Sequence, residues 1–165
     1  MLRRLLVGIG VFAALIGLVV LTGYALPVEH VASRTATVAQ PVDWVFAALT
    51  GIDRYPQWRT DVKSVEVLSA APPRRWRERG GNDDITFEIV EMQPPARLVT
   101  RIADPDLPFG GTWTYELTPD GSGTRLTITE HGEVYNPIFR VMSRFVFGHT
   151  ATMDQFLADL KKHLG

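Results

Sequence analysis

The closing stretch of the chain, residues 136–164, constrains the fold most. Asn136-Pro137 reads as a helix N-cap followed by proline at the first helical position. Apolar residues then recur at helical spacing: Ile138, Met142, Phe145, Val146, Met153, Phe156, Leu157, Leu160 and Leu164. Arg140, Arg144, Gln155, Asp159, Lys161 and Lys162 fall largely off this stripe. So long and one-sided a helix needs a surface to bury its face against. Gly148 interrupts the pattern and predicts a bend. His149 is the one titratable group placed on the apolar stripe.

The surface comes from the strands that precede it. Residues 33–39 alternate weakly and read as a first strand, after a tether over 28–32. Pro41 opens a helix with Asp43 in its first turn and apolar positions at Val42, Val45, Phe46 and Leu49. Gly51 ends it, and Asp53 reads as the cap of a short second helix through Tyr55 to Trp58. Six strands are expected next, over 62–68, 74–79, 85–92, 97–103, 112–118 and 124–134. Turn residues separate them: Pro72-Pro73, Gly80-Gly81-Asn82-Asp83, Pro94-Pro95, a loop over 104–111, and Asp120-Gly121-Ser122-Gly123. In the last two strands, Trp113, Tyr115 and Leu117 share one face, as do Leu126, Ile128 and Glu130. The run Arg74-Arg75-Trp76-Arg77-Glu78-Arg79 reads as the solvated face of an edge strand.

At the other end of the chain, Arg3 and Arg4 precede an uncharged run, residues 5–26, from Leu5 to Leu26. As a helix at about 1.5 Å per residue it reaches roughly 33 Å, against about 30 Å for a hydrocarbon core. That exceeds the apolar region of a cleavable signal and favours a transmembrane anchor. Gly23-Tyr24-Ala25 keeps a cleaved signal peptide open as the alternative, and a buried core helix is the third reading. The arginines set the N-terminus inside. The chain is then a single-pass membrane protein with residues 1–27 as anchor and 28–165 as an extracytoplasmic domain.

Charge and composition exclude several functions. With 18 acidic and 17 basic residues there is no nucleic-acid footprint. The chain has no cysteine, so thiolate metal sites and thiol nucleophiles are out. His30, His131, His149 and His163 lack metal-ligand spacing, and neither a phosphate loop nor a dinucleotide fingerprint is present. No metal and no cofactor are expected, and the oligomeric state is left open.

The order strand, two short helices, six strands, long helix is that of a helix-grip fold. From about Ala32 to Leu164 the chain resembles the SRPBCC or START-like superfamily, in particular its polyketide cyclase/dehydrase-like members. The resemblance rests on Ala39-Gln40-Pro41-Val42-Asp43-Trp44-Val45-Phe46, Tyr55-Pro56-Gln57-Trp58 and Pro94-Pro95-Ala96-Arg97-Leu98. It is completed by Gly111-Thr112-Trp113-Thr114-Tyr115 and Gly123-Thr124-Arg125-Leu126-Thr127. It implies an α+β fold, a curved seven-stranded antiparallel sheet around the C-terminal helix, with an apolar cavity between them. It does not imply a substrate.

Such a cavity would be lined by Trp58, Trp76, Phe87, Ile89, Trp113, Tyr115, Leu126, Ile128, Met142, Val146 and Met153, with Glu130 and His149 as polar members. The same residues could instead fill a plain core. An unpaired, buried Glu130 would titrate high and act as general acid or base, with His149 as proton partner and Tyr115 nearby. The alternatives are that Glu130 pairs with Arg101 or Arg97 or lies near the cavity mouth in water, and that His149 simply hydrogen-bonds a backbone carbonyl. Three functions follow. The first is a membrane-anchored binding domain for a hydrophobic small molecule or lipid. The second is a cyclase- or dehydratase-like enzyme using Glu130, His149 and Tyr115. The third is a structural or partner-binding domain with a filled core.

Overall fold

The structure is a computed structural model and describes residues 2–81, 84–148 and 150–165. Helix α1 (Leu2–Ala25) leads into β1 (Glu29–Val38), α2 (Val42–Thr50), a 3-10 turn (Ile52–Arg54) and α3 (Tyr55–Trp58). The strands β2 (Val62–Ser69), β3 (Arg75–Gly80), β4 (Asp84–Gln93), β5 (Arg97–Ile102), β6 (Phe109–Asp120) and β7 (Gly123–Val134) follow. Then come α4 (Pro137–Met142), a π turn (Ser143–Phe147) and α5 (Ala151–Leu164). The strands form one seven-stranded antiparallel sheet in the order β1-β7-β6-β5-β4-β3-β2. This is the helix-grip fold that the order of elements predicts.

α5 is what the sheet grips. Met153, Phe156, Leu157 and Leu160 lie on its buried face, while Lys161 and Lys162 stay exposed. They pack with Val45, Leu49, Ile52, Trp58, Tyr115, Leu126 and Ile128 into one core. Burial of apolar surface at about 25 cal/mol per Å² supplies the attraction. Polar contacts fix the position of α5 at three points. Arg34 on β1 donates to Thr150 and Asp154 at its start, both at 2.7 Å. Buried Asp159 accepts from the Thr60 N–H at 2.8 Å and the Thr60 hydroxyl at 2.7 Å. At its end, Gln40 donates to the Leu164 carbonyl at 2.8 Å.

The bend expected at Gly148 is there, as a full break: Gly148 takes φ +73°, a left-handed value that favours glycine, and the helix restarts at Ala151. The Asn136 side chain does cap α4, accepting from the Ile138 and Phe139 N–H groups. Other expectations from the sequence are corrected. Phe145 and Val146 are 66% and 61% exposed, so the first half of the stripe does not face the sheet. β1 begins at Glu29, within the stretch read as a tether, because Val134 donates its N–H to Val28 and β7 pairs from there on. β6 begins at Phe109 rather than Thr112, because Gly110 and Gly111 let Tyr135 and the β7 backbone approach. Asp53 caps nothing with its side chain; Arg54 holds the N-cap position of α3. Finally, β3 is not an edge strand. Arg75, Arg77 and Arg79 pair with Glu88, Glu66 and Asp84 on the outer face, and Trp76 and Glu78 turn inward.

Candidate functional site

Directly opposed residues in an antiparallel sheet share a face, so the register orders the concave surface into rows. One row runs Arg34–Ile128–Tyr115–Leu98, and this is where α5 starts, since Arg34 holds Thr150 and Asp154. The next row toward the start of β1 is Ala32–Glu130–Trp113–Thr100–Ile89. The one after it is His30–Gly132–Gly111. Ile128, Tyr115 and Leu98 are buried, whereas Ala32, Glu130, Trp113 and Ile89 are only half-buried. The concave face is therefore closed where α5 lies and partly open in the next row, where Thr100 is buried and Ala32, Ile89 and Trp113 pack against the core with one side still exposed.

The open end carries a polar cluster. Glu130 Oε1 lies 3.6 Å from His30 Nε2, with side-chain exposures of 22% and 16%. The Trp113 indole N–H donates to the Glu130 carboxyl. Burial pushes this carboxyl above its ordinary range, and the Trp113 hydrogen bond only partly opposes that. Gly132 makes the arrangement possible. A Cβ there would overlap the His30 ring and meet Glu130 Oε1 at 2.9 Å.

A second polar cluster lies deep under α5. Arg59 donates to both oxygens of Glu78, at 3.1 and 2.9 Å, and to Asp61 at 3.2 and 2.6 Å. The Trp76 indole donates to Glu78 at 2.9 Å. The Arg59 guanidinium sits 5.0 Å from the Tyr55 ring centre and 5.3 Å from that of Phe156. Burial pushes Glu78 up, while Arg59 and Trp76 pull it down. Burial works against the Arg59 charge, yet Glu78 and Asp61 hold its pKa above the usual value. Arg59 Nη1 reaches both oxygens of this carboxyl and the Trp76 indole reaches one, donors that suit a carboxylate, so Arg59 and Glu78 form an ion pair. Burial raises the Tyr115 hydroxyl, which shares a hydrogen bond with Thr100 and is sealed from the open end.

The residues expected to line a cavity therefore separate. Trp58, Trp76, Tyr115, Leu126, Ile128 and Met153 are buried in the packed core. Phe87, Ile89, Trp113 and Glu130 are half-buried on the concave face. Met142 is half-buried on α4, and Val146 is exposed on the π turn, away from any interior. His149 lies outside the described residues. Glu130 pairs with neither arginine: Arg101 is bound to Glu88, and Arg97 to Glu91 and Glu116. Sequence reasoning missed His30, Arg59 and Glu78. The alternation His30, Ala32 would have brought His30 into the strand, and Trp76, Glu78 at spacing two would have turned Glu78 inward. A separate cleft of about 430 Å³ lies at the opposite end of the domain, against Pro41, Val42, Pro95, Leu117 and Pro119, with Asp43 its sole charged lining residue.

Residues 29–165 match the family described as polyketide cyclase / dehydrase and lipid transport. Solved structures share the fold at low identity. A START superfamily protein from Mycobacterium smegmatis aligns with a TM-score of 0.67 at 17% identity, over 82% of this chain and 97% of that one. The Zhui aromatase/cyclase from Streptomyces aligns at 0.65 and 14% identity, over 82% of this chain and 93% of that one. The di-domain aromatase/cyclase StfQ of the steffimycin pathway aligns at 0.67 and 18% identity, over 83% of this chain but 51% of that one. No curated protein sequence matches the chain significantly.

Proposed function

The chain belongs to the polyketide cyclase / dehydrase and lipid transport family, and from that membership we propose that it is a membrane-anchored binding domain for a hydrophobic small molecule or lipid. The observation that carries this reading is the open end of the concave face. There, half-buried Trp113, Ile89 and Ala32 surround one polar pair, Glu130 and His30. An apolar surface with few convergent polar groups is the usual make-up of a small-molecule site. The apolar body of a ligand would lie on Trp113 and Ile89, and its polar end at Glu130 and His30. Solvent extraction and mass spectrometry of the purified full chain test this, with Ala32→Phe as the variant that fills the row. An apolar compound bound to the natural chain and lost from Ala32→Phe is expected. Identical extracts from both would refute the site.

The raised carboxyl of Glu130 beside His30 favours a second reading, a cyclase- or dehydratase-like enzyme. His30 then takes the proton-partner role expected of His149, and Tyr115 drops out because its hydroxyl is sealed in the core. Turnover of the extracted compound that survives Glu130→Gln unchanged would exclude it.

For the anchor, the apolar span Leu6–Ala25 fits a bilayer crossing with Arg4 and Arg3 on the inner side. The domain then lies outside the cytoplasm. Protease added to inverted vesicles should leave it intact, and digestion would reverse the orientation.

A further inference from the structure

α4 is fastened to the end of α1 as well as to the end of β7. Pro27 has no N–H, so the Gly23 carbonyl lacks its usual partner four residues on. Arg140 supplies one: its guanidinium donates to the Gly23 carbonyl at 3.0 Å and the Leu26 carbonyl at 3.3 Å. The same fork donates to the Val134 carbonyl at 2.7 Å and the Tyr135 carbonyl at 2.9 Å. A cation at this position also suits the C-terminal end of the α1 dipole. Gly23 lets the two segments touch, since a Cβ there would overlap the Pro137 backbone. The four carbonyls satisfy the guanidinium's donors from the protein itself.

The surface around this clamp is apolar. Phe139 is 50% exposed, Phe145 and Val146 more so, and Ile138 nearly half. Its depth follows from the clamp. The span Leu6–Ala25 has 20 residues, about 30 Å of helix, so Gly23 lies roughly 3 Å inside its end. Whatever α4 presents beside Gly23 is held at the border of headgroups and acyl chains. Tyr24, exposed on α1, is a residue type enriched at that border. Exposed Arg144 can lay its stem along apolar surface and keep its charge among headgroups.

We infer that α4 and the π turn form a second membrane contact, an interfacial segment whose Phe139, Phe145 and Val146 insert into the bilayer that α1 crosses. The inference rests on the anchor reading above. Lipid is the occupant because Arg140 fixes the patch at interfacial depth beside the last turn of the apolar α1, where Leu21 and Tyr24 are exposed as well. The membrane would thus hold the domain at two points and set its tilt.

The chain has no cysteine, so single cysteines carry spin labels without background. The full chain is reconstituted into phosphatidylcholine/phosphatidylglycerol vesicles with a label at Ile16→Cys, Phe139→Cys, Phe145→Cys, Trp44→Cys or Ser122→Cys. All five positions are exposed, so folding is not at risk. Labels at 139 and 145 should meet oxygen more readily than a nickel chelate, at a depth of about 5–10 Å. Labels at 44 and 122, beyond the far end of strands about 33 Å long, should show the reverse. A lipid-facing label at 16 with water-facing labels at 139 and 145 overturns the inference and spares the anchor. A water-facing label at 16 overturns both. Protection from both reagents at 145 means a protein partner covers the patch, and also overturns it.

Discussion

Replacing Phe156 with alanine tests whether the sheet grips α5. The ring meets Trp58 edge-on at 5.4 Å, Trp113 edge-on at 5.9 Å and Tyr115 tilted at 5.8 Å, with the Arg59 guanidinium 5.3 Å from its centre. Truncating a buried phenylalanine costs about 3–5 kcal/mol. Aromatic pairs add about 0.5–1.5 kcal/mol each beyond area, so the loss belongs near the top, about 4–5 kcal/mol. For a chain of this size that is a fall in Tm of roughly 8–20 °C. It is also a large share of the 5–15 kcal/mol of a typical domain. The sequence alone makes Met153 a cavity-facing residue that would tolerate truncation. The structure buries it fully, so Met153→Ala should cost about 2–5 kcal/mol. Met142→Ala, half-buried on α4, should cost about 1 kcal/mol. Urea unfolding of the full chain in detergent, followed by near-ultraviolet circular dichroism, separates the three. A loss below about 1.5 kcal/mol at Phe156 would refute the grip; a severe loss at Met142 would refute the separation of α4 from the core.

Two further perturbations address the polar clusters. Glu78→Ala leaves the Arg59 guanidinium, 12% exposed, with the more exposed Asp61 as its remaining carboxylate, and should cost about 3 kcal/mol, the low end for breaking a buried pair. The double variant Arg59→Met/Glu78→Leu should recover most of that, a coupling read from a double-mutant cycle; additive losses would show that the ion pair does not act as a unit. Glu130 titrates above its ordinary range when folded, so the folded state holds this proton more tightly than the unfolded one. Stability is then lost as pH rises through the folded pKa. Glu130→Gln should be the more stable protein above it, with the gap closing as pH falls toward the unfolded value of 4.5. A constant gap across pH would mean Glu130 is not desolvated.

The number and order of strands were open to sequence reasoning because each strand alternates and each turn has its own residues, as at Asp120-Gly121-Ser122-Gly123. The cap at Asn136 was equally plain, since a cap needs only local chemistry. What failed was the inference from period to partner. Ile138, Phe145, Met153 and Phe156 sit on one helical stripe, and periodicity records only that each avoids water. Gly148 changes the chain direction between them, so the second pair meets the sheet while the first does not. The polar members of the site were hidden for a related reason. Glu78 lies within a basic run whose other charges point outward, and His30 lies in a strand whose first residues barely alternate. Only pairing with β7 shows that His30 faces Glu130.

The connectivity makes the open end of the concave face and the end where α1 joins the domain the same end. α1 stops at Ala25 and β1 starts at Glu29, so His30 lies within a few residues of the span. β7 runs antiparallel to β1, so its last residues, Glu130, Gly132 and Val134, return to the level where β1 began. α4 follows at once and is clamped to Gly23. β6 starts at that level as well, which brings Gly111 and Trp113. The opposite end, with the Gly121 hairpin and the start of α2, lies about 33 Å away along the strands. In the membrane-anchored state proposed above, a ligand taken up between Trp113, Ile89 and Glu130 would enter beside the bilayer rather than from the far side. For an apolar ligand the difference is energetic. Each methylene exposed to water on the way costs about 0.8 kcal/mol, so a route that keeps the tail near lipid lowers the barrier in proportion to its length. The break at Gly148 leaves the rows at the open end uncovered, because Phe145 and Val146 turn away from the sheet and stay exposed.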